Sequence, residues 1–127
     1  MATVADYKVL MDQSVVVEEG NEHEISNFFM PDNYVHGTNF ARPVLSYRAA
    51  ALGSRDGALA PFARFEVQTQ ASVVLETVNL RSASPATQTE VFSGNLLNER
   101  IVNNITFKVL QGRLWVSDVI LWYQVRI

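Results

Sequence analysis

The stretch Ile101-Val102-Asn103-Asn104-Ile105-Thr106-Phe107-Lys108-Val109-Leu110-Gln111-Gly112-Arg113-Leu114-Trp115-Val116-Ser117-Asp118-Val119-Ile120-Leu121-Trp122-Tyr123-Gln124-Val125-Arg126-Ile127 decides the fold. Two mostly apolar alternating runs flank Gln111-Gly112-Arg113. Before it Ile101, Asn103, Ile105, Phe107 and Val109 share a face; after it Trp115, Ser117, Val119, Leu121, Tyr123, Val125 and Ile127 do. A period of two is that of a pleated strand, and a glycine between two such runs reads as a turn. The stretch therefore predicts a closing β-hairpin. Its second arm should turn Trp115 and Tyr123 into the core and leave Asp118, Ile120 and Trp122 on the opposite face.

Working outward, strands are expected over residues 4–11, 14–19 and 25–30, with a turn at Glu19-Gly20-Asn21-Glu22 and a long loop over 30–39. Pro43 should open a strand over 44–52, whose Ala49-Ala50-Ala51-Leu52 end has the composition of one helical turn. Gly53-Ser54-Arg55-Asp56-Gly57 then breaks the chain. Residues 62–70 alternate, with Ala63, Phe65, Val67 and Thr69 opposite Arg64, Glu66, Gln68 and Gln70. Strands follow over 73–81 and 89–92, and residues 96–100 form a helical turn or an irregular connection. About eight short strands without amphipathic helices between them predict an all-β chain, a single-domain antiparallel β-sandwich over 1–127 of jelly-roll type.

The 127 residues are 48% hydrophobic and 18% charged, the balance of a packed globular chain. Net charge is −3 and the ten Lys and Arg residues are scattered singly, so no basic stripe offers itself to nucleic acid. The absence of cysteine excludes disulfides, thiolate metal sites and a cysteine nucleophile. Residues 1–8 lack the basic start and apolar run of a signal peptide, and no apolar run approaches the roughly 18 residues of a membrane span. A soluble chain without membrane insertion is expected, in a compartment the sequence leaves open.

The segment Asn104-Ile105-Thr106-Phe107 to Gly112, then Val116-Ser117-Asp118-Val119-Ile120-Leu121, resembles the final hairpin of jelly-roll carbohydrate-binding modules and galactose-binding-like domains. There an asparagine opens an apolar strand and a turn glycine precedes the last one. The glycine usual before the asparagine pair is replaced here by the run Arg100, Ile101, Val102.

Enzymatic motifs are missing. There is no Gly-x-Ser-x-Gly elbow, no phosphate-binding loop, and only His23 and His36 to serve a triad or a zinc site. Glu18, Glu19, Glu22 and Glu24 with Asp32 offer hard oxygen ligands, and Glu22, Glu24 and Asp32 are the set on which a structural calcium would rest. The competing reading is a solvated acidic edge that discourages strand pairing. Trp122 on the mixed face of the last strand, Asp118 on the same face, and Asp32, Asn33, Tyr34 and His36 in the long loop are the candidate ligand-binding residues. An exposed aromatic flanked by polar groups can stack on the apolar face of a sugar or anchor a protein interface. The expectation is a non-enzymatic binding module for glycan. Its alternative is a structural or assembly protein, a homo-oligomer or a subunit of a larger particle or secretion apparatus, with another copy covering the apolar face around Trp122.

Overall fold

No turn reverses the chain at Gly112. In the computed structural model, which describes residues 2–37, 40–53, 60–70 and 72–127, Asn103–Arg126 is one continuous strand of 24 residues. It is the last of eight strands: β1 (Thr3–Glu18), β2 (Glu22–Phe28), β3 (Tyr34–Val35), β4 (Val44–Leu52), β5 (Ala63–Thr69), β6 (Val73–Leu80), β7 (Ala86–Val91) and β8 (Asn103–Arg126). A 3-10 turn at Gly94–Leu96 is capped by the Ser93 side chain, a little upstream of the helical turn expected at 96–100. The Ala49 to Leu52 segment is strand, not helix. Thr38 and Asn39 of the long loop, and residues 54–57 of the expected break, lie outside the described residues.

β8 belongs to both layers of the sandwich. Its first part lies between β2 and β5, with Phe107 opposite His23 on one side and Val67 on the other. Its second part lies between β1 and β4, with Leu121 opposite Lys8 and Leu45. β6 extends the first layer beyond β5, and β7 extends the second beyond β4. Every pairing is antiparallel, so the sandwich is one sheet curled about its longest strand.

The corner is Gly112. Its φ is +79°, and a Cβ there would sit 1.9 Å from the Phe62 carbonyl oxygen. The Gly112 N–H donates to Glu19 Oε1 at 2.9 Å and the Arg113 N–H to Phe62 O at 3.2 Å. The Arg113 guanidinium donates to Glu18 Oε2 and to Gly53 O, both at 3.0 Å. The ends of β1 and β4 are thus fastened to β8 where it changes layer. A glycine inside a strand marks a bulge or a close backbone approach as readily as a turn, and here it is the former.

The alternation of β8 slips twice. Leu110 is an extra residue opposite the Arg64–Phe65 step of β5, and a bulge at Asp118 (φ +51°) shifts the register against both β1 and β4. The inner face is therefore Ile105, Phe107 and Val109, then Leu114 and Val116, then Val119, Leu121, Tyr123 and Val125. Downstream of the bulge the expected core face holds. Between the two bulges it is inverted, and Trp115 lies half-buried on the outer face opposite Val16 and Ala50. Tyr47, Phe65 and Phe107 meet edge-on or tilted at the centre of the core, the Tyr47 and Phe107 rings 5.0 Å apart.

Glu90 is an exception to the apolar interior. Opposite Leu45 on β7, it is 9% exposed and accepts a hydrogen bond from Tyr47 Oη at 3.4 Å. Burial, and then the charge of Glu76, push its carboxyl above the usual range against the pull of the Tyr47 hydrogen bond. A carboxyl whose folded value is raised favours the fold below its unfolded value, and that contribution is lost as pH rises through the folded value. Glu90→Gln should therefore raise the thermal midpoint at about pH 7 and leave it unchanged near about pH 3. Equal midpoints for the two proteins at both pH values would remove the charge penalty.

Candidate functional site

On the layer formed by β1, β8, β4 and β7, residues directly opposite one another across the strands project from the same face. Leu121 and Tyr123 point inward, so Trp122 points outward. In register with it stand Tyr7 on β1, Val44 on β4 and, beyond Val44, Val91 on β7. Tyr7 is 55% and Trp122 42% exposed, and their rings lie 5.2 Å apart at an interplanar angle of 38°. The next row is Val9, Ile120, Ser46 and Thr89. Trp122 Nε1 donates to Ser46 Oγ at 3.1 Å. Since Ser46 lies one outward position along β4 from Val44, the indole leans sideways over β4 and is held there. The face thus carries two adjacent aromatic rings, an aliphatic floor and neighbouring hydroxyls.

Asp118 lies on the exposed side of the same layer, at the bulge. Its Oδ2 accepts from Ser117 Oγ at 2.9 Å. Asparagine and aspartate tolerate the left-handed region better than other residues with a Cβ, which fits Asp118 to the backbone kink.

The loop candidates lie elsewhere, at the β3 end of β8. Asn33 is tied to Arg126 through both its backbone carbonyl, at 2.8 Å, and its side-chain amide, at 2.9 Å. Tyr34 is turned inward: it is buried against Tyr123, and its hydroxyl donates to Gly94 O at 2.8 Å. Burial, with a smaller effect of Glu99, pushes its phenol up to about 12, so it stays a neutral donor. The tyrosine expected at the surface is thus a packing residue, because pairing with Val125 turns it inward. His36 is bonded through Nδ1 to Asn95 Oδ1 at 2.5 Å and through Nε2 to Glu99 Oε1 at 2.6 Å. His36 lines a cleft of about 200 Å³ with Phe40, Arg42 and Asn95, and Glu99 lines another of about 450 Å³ with Asp32 and Arg100.

Glu22, Glu24 and Asp32 are not brought together. Glu22 and Glu24 stand opposite Lys108 and Thr106 on β8, whereas Asp32 lies in the loop beyond β2 beside Glu99 and Arg100. Among the described residues no group of three or more His, Cys, Asp or Glu side chains is placed to hold a metal ion. No helix of the described residues is long and apolar enough to cross a membrane.

No family model and no curated protein matches the sequence. Solved structures do match its shape. The chain is similar to the CBM36-1 domain of a multidomain xylanase from the hindgut metagenome of Trinervitermes trinervoides (10% identity, TM-score 0.55), covering 98% of this chain and 100% of that one. It is similar to the carbohydrate-binding module CBM36 in complex with calcium and xylotriose (12% identity, TM-score 0.51), covering 94% and 98%. It is also similar to a family GH115 4-O-methyl-alpha-glucuronidase with specificity for decorated arabinogalactans (12% identity, TM-score 0.54), covering 93% of this chain and 16% of that enzyme. What they share is the β-sandwich. The chain spans about a sixth of the glucuronidase.

Sequence reasoning missed Tyr7, Asn95 and Glu99. Tyr7 alternates with Asp6 and Lys8, a pattern that marks an outward aromatic only when the pairing partner is known. Asn95 and Glu99 reach His36 from about sixty positions away, and nothing local announces such a contact. Asn103 was read as one member of an apolar face. It is fully buried and bonded through both side-chain atoms.

Proposed function

We propose that the chain is a non-enzymatic carbohydrate-binding module that takes glycan on the outer face of β1, β8 and β4. The observation that carries this reading is the exposed Tyr7–Trp122 pair, with the indole fixed by Ser46. A pyranose ring presents an apolar C–H face edged by hydroxyls, and adjacent aromatic faces beside serine and threonine complement both features. Shared architecture with carbohydrate-binding modules, two of which this chain covers almost end to end, supports the reading. Asp118 is the carboxylate available to sugar hydroxyls on this face, while His36 and Asp32 line the separate end clefts.

Affinity electrophoresis through gels containing soluble plant and algal polysaccharides tests it. Trp122→Ala and Tyr7→Ala should each weaken retardation, by about tenfold in affinity for a loss on the order of 1 kcal/mol of stacking, with unchanged thermal midpoints. Full retention of binding by a folded Trp122→Ala protein would move the site off this face.

A second reading is favoured by the exposed Val9 and Val91 on the same face as the rings. Here the face joins copies of the chain into a homo-oligomer, or seats it as a subunit of a particle or secretion apparatus. Light scattering separates the two: a mass that falls on Trp122→Glu supports assembly, and a concentration-independent monomer leaves the face to glycan.

A further inference from the structure

Both ends of the row Tyr7, Trp122, Val44, Val91 are open. β1 pairs only with β8 and β7 only with β4 among the described residues, so the row runs from one edge of its layer to the other. Four strands at about 4.8 Å spacing make the row about 14 Å long, the length of roughly three linked pyranose units. Val91, at the far end, is 59% exposed. The row is also twisted. Neighbouring strands rotate by roughly 20–25°, and the Tyr7 and Trp122 ring planes are already 38° apart. One flat lattice plane cannot stack on both rings, whereas a free chain can turn from one unit to the next.

We propose, resting on the carbohydrate reading above, that the ligand is a single extended glycan chain, lying across the strands and bound at internal units. Ser46 and Thr89, in the adjacent row, supply hydroxyls along one flank, and Gln124, one row to the other side, bounds the opposite flank. Tyr7 and Trp122 stack on the first units, and Val44 and Val91 lie under the later ones. Because among the described residues no wall closes the row, chain ends confer no advantage over internal segments.

Titration of the full chain with β-1,4-linked gluco- and xylo-oligosaccharides of two to six units, followed by tryptophan fluorescence and calorimetry, tests this. Affinity should rise by about tenfold from two units to three, on the area of one further C–H face, and level off beyond. Reducing the terminal unit to the alditol in the longest oligosaccharides should change nothing. Val91→Asp, a substitution at an exposed position, should abolish the gain from two units to three. Microcrystalline cellulose should not deplete the protein from solution. Glycan binding with no length dependence, with Val91→Asp behaving as wild type, or with strong retention on the crystalline polymer would overturn the cross-strand chain and leave the carbohydrate reading standing. Failure of every soluble glycan to bind would overturn both.

Discussion

Gly112→Val is expected to leave no stable fold at ordinary temperature. The left-handed backbone at this position costs a residue with a Cβ about 1–3 kcal/mol, more when it is β-branched. The larger effect is steric, since the new Cβ would lie 1.9 Å from Phe62 O and 2.7 Å from Phe62 C. Those are backbone atoms. They can yield only by pulling β5 off β8, which breaks the Arg113 to Phe62 hydrogen bond and disturbs the Ala63–Gly112 pairing. Together these terms reach several kcal/mol, a large part of the roughly 5–15 kcal/mol that separates folded from unfolded chains. Gly112→Ala should retain a cooperative urea transition shifted by about 3 kcal/mol or more, and Gly112→Val should show none. An alanine variant with the wild-type midpoint would mean that the corner is not where β8 is pinned.

Asn103→Leu should cost about 3 kcal/mol although it replaces a buried polar group with an apolar one of similar size. Asn103 Oδ1 accepts from the Asn98 N–H at 2.7 Å and from Gln70 Nε2 at 2.9 Å. Its Nδ2 donates to Asn98 O at 3.0 Å and Ile101 O at 3.3 Å, with Phe28 O at 3.5 Å. One amide thus joins the end of β2, the 98–101 segment and the residue after β5. Removing it takes their partner from the Asn98 N–H and from the carbonyls of Asn98, Ile101 and Phe28, and an unpaired buried donor or acceptor costs about 1–3 kcal/mol. Asn103→Asp keeps the acceptor and loses the donors, so its loss should be comparable at neutral pH. Denaturant midpoints read the effect, and a leucine variant as stable as wild type would reduce the network to a packing contact.

Strand content was open to reading from alternation alone. β4 occupies the expected residues 44–52, and β5 turns Ala63, Phe65, Val67 and Thr69 inward as its pattern demands. The layering of β8 was not, because a glycine between two alternating runs is written the same way whether the chain folds back or steps from one sheet to the next. Only the partners decide, and they are β2, β5, β1 and β4, as far away in sequence as Thr3 is from Arg126. Trp122 lies beyond the Asp118 bulge and was placed correctly outside. Trp115 lies between that bulge and the slip at Leu110 and was not, since an extra residue exchanges the faces of the strand until a second one restores them. The loop poses a different difficulty. Tyr34 was surrounded by turn formers, yet a two-residue pairing with β8 was enough to bury it.

The order in which the strands leave the ribosome takes on weight from the continuity of β8. A nascent chain that has emerged only through β7 can form the β4–β7 and β5–β6 pairings, but among the described residues β1, β2 and β3 have no strand to join until β8 arrives. Ile105, Phe107, Leu114, Val116 and Leu121 arrive with it, so the two layers and the core between them are assembled in one late event. Until then β1 is a 16-residue strand without a neighbour, a template that other chains can pair with. Asp6 and Lys8, directed to the inner side of that strand, charge it through this interval.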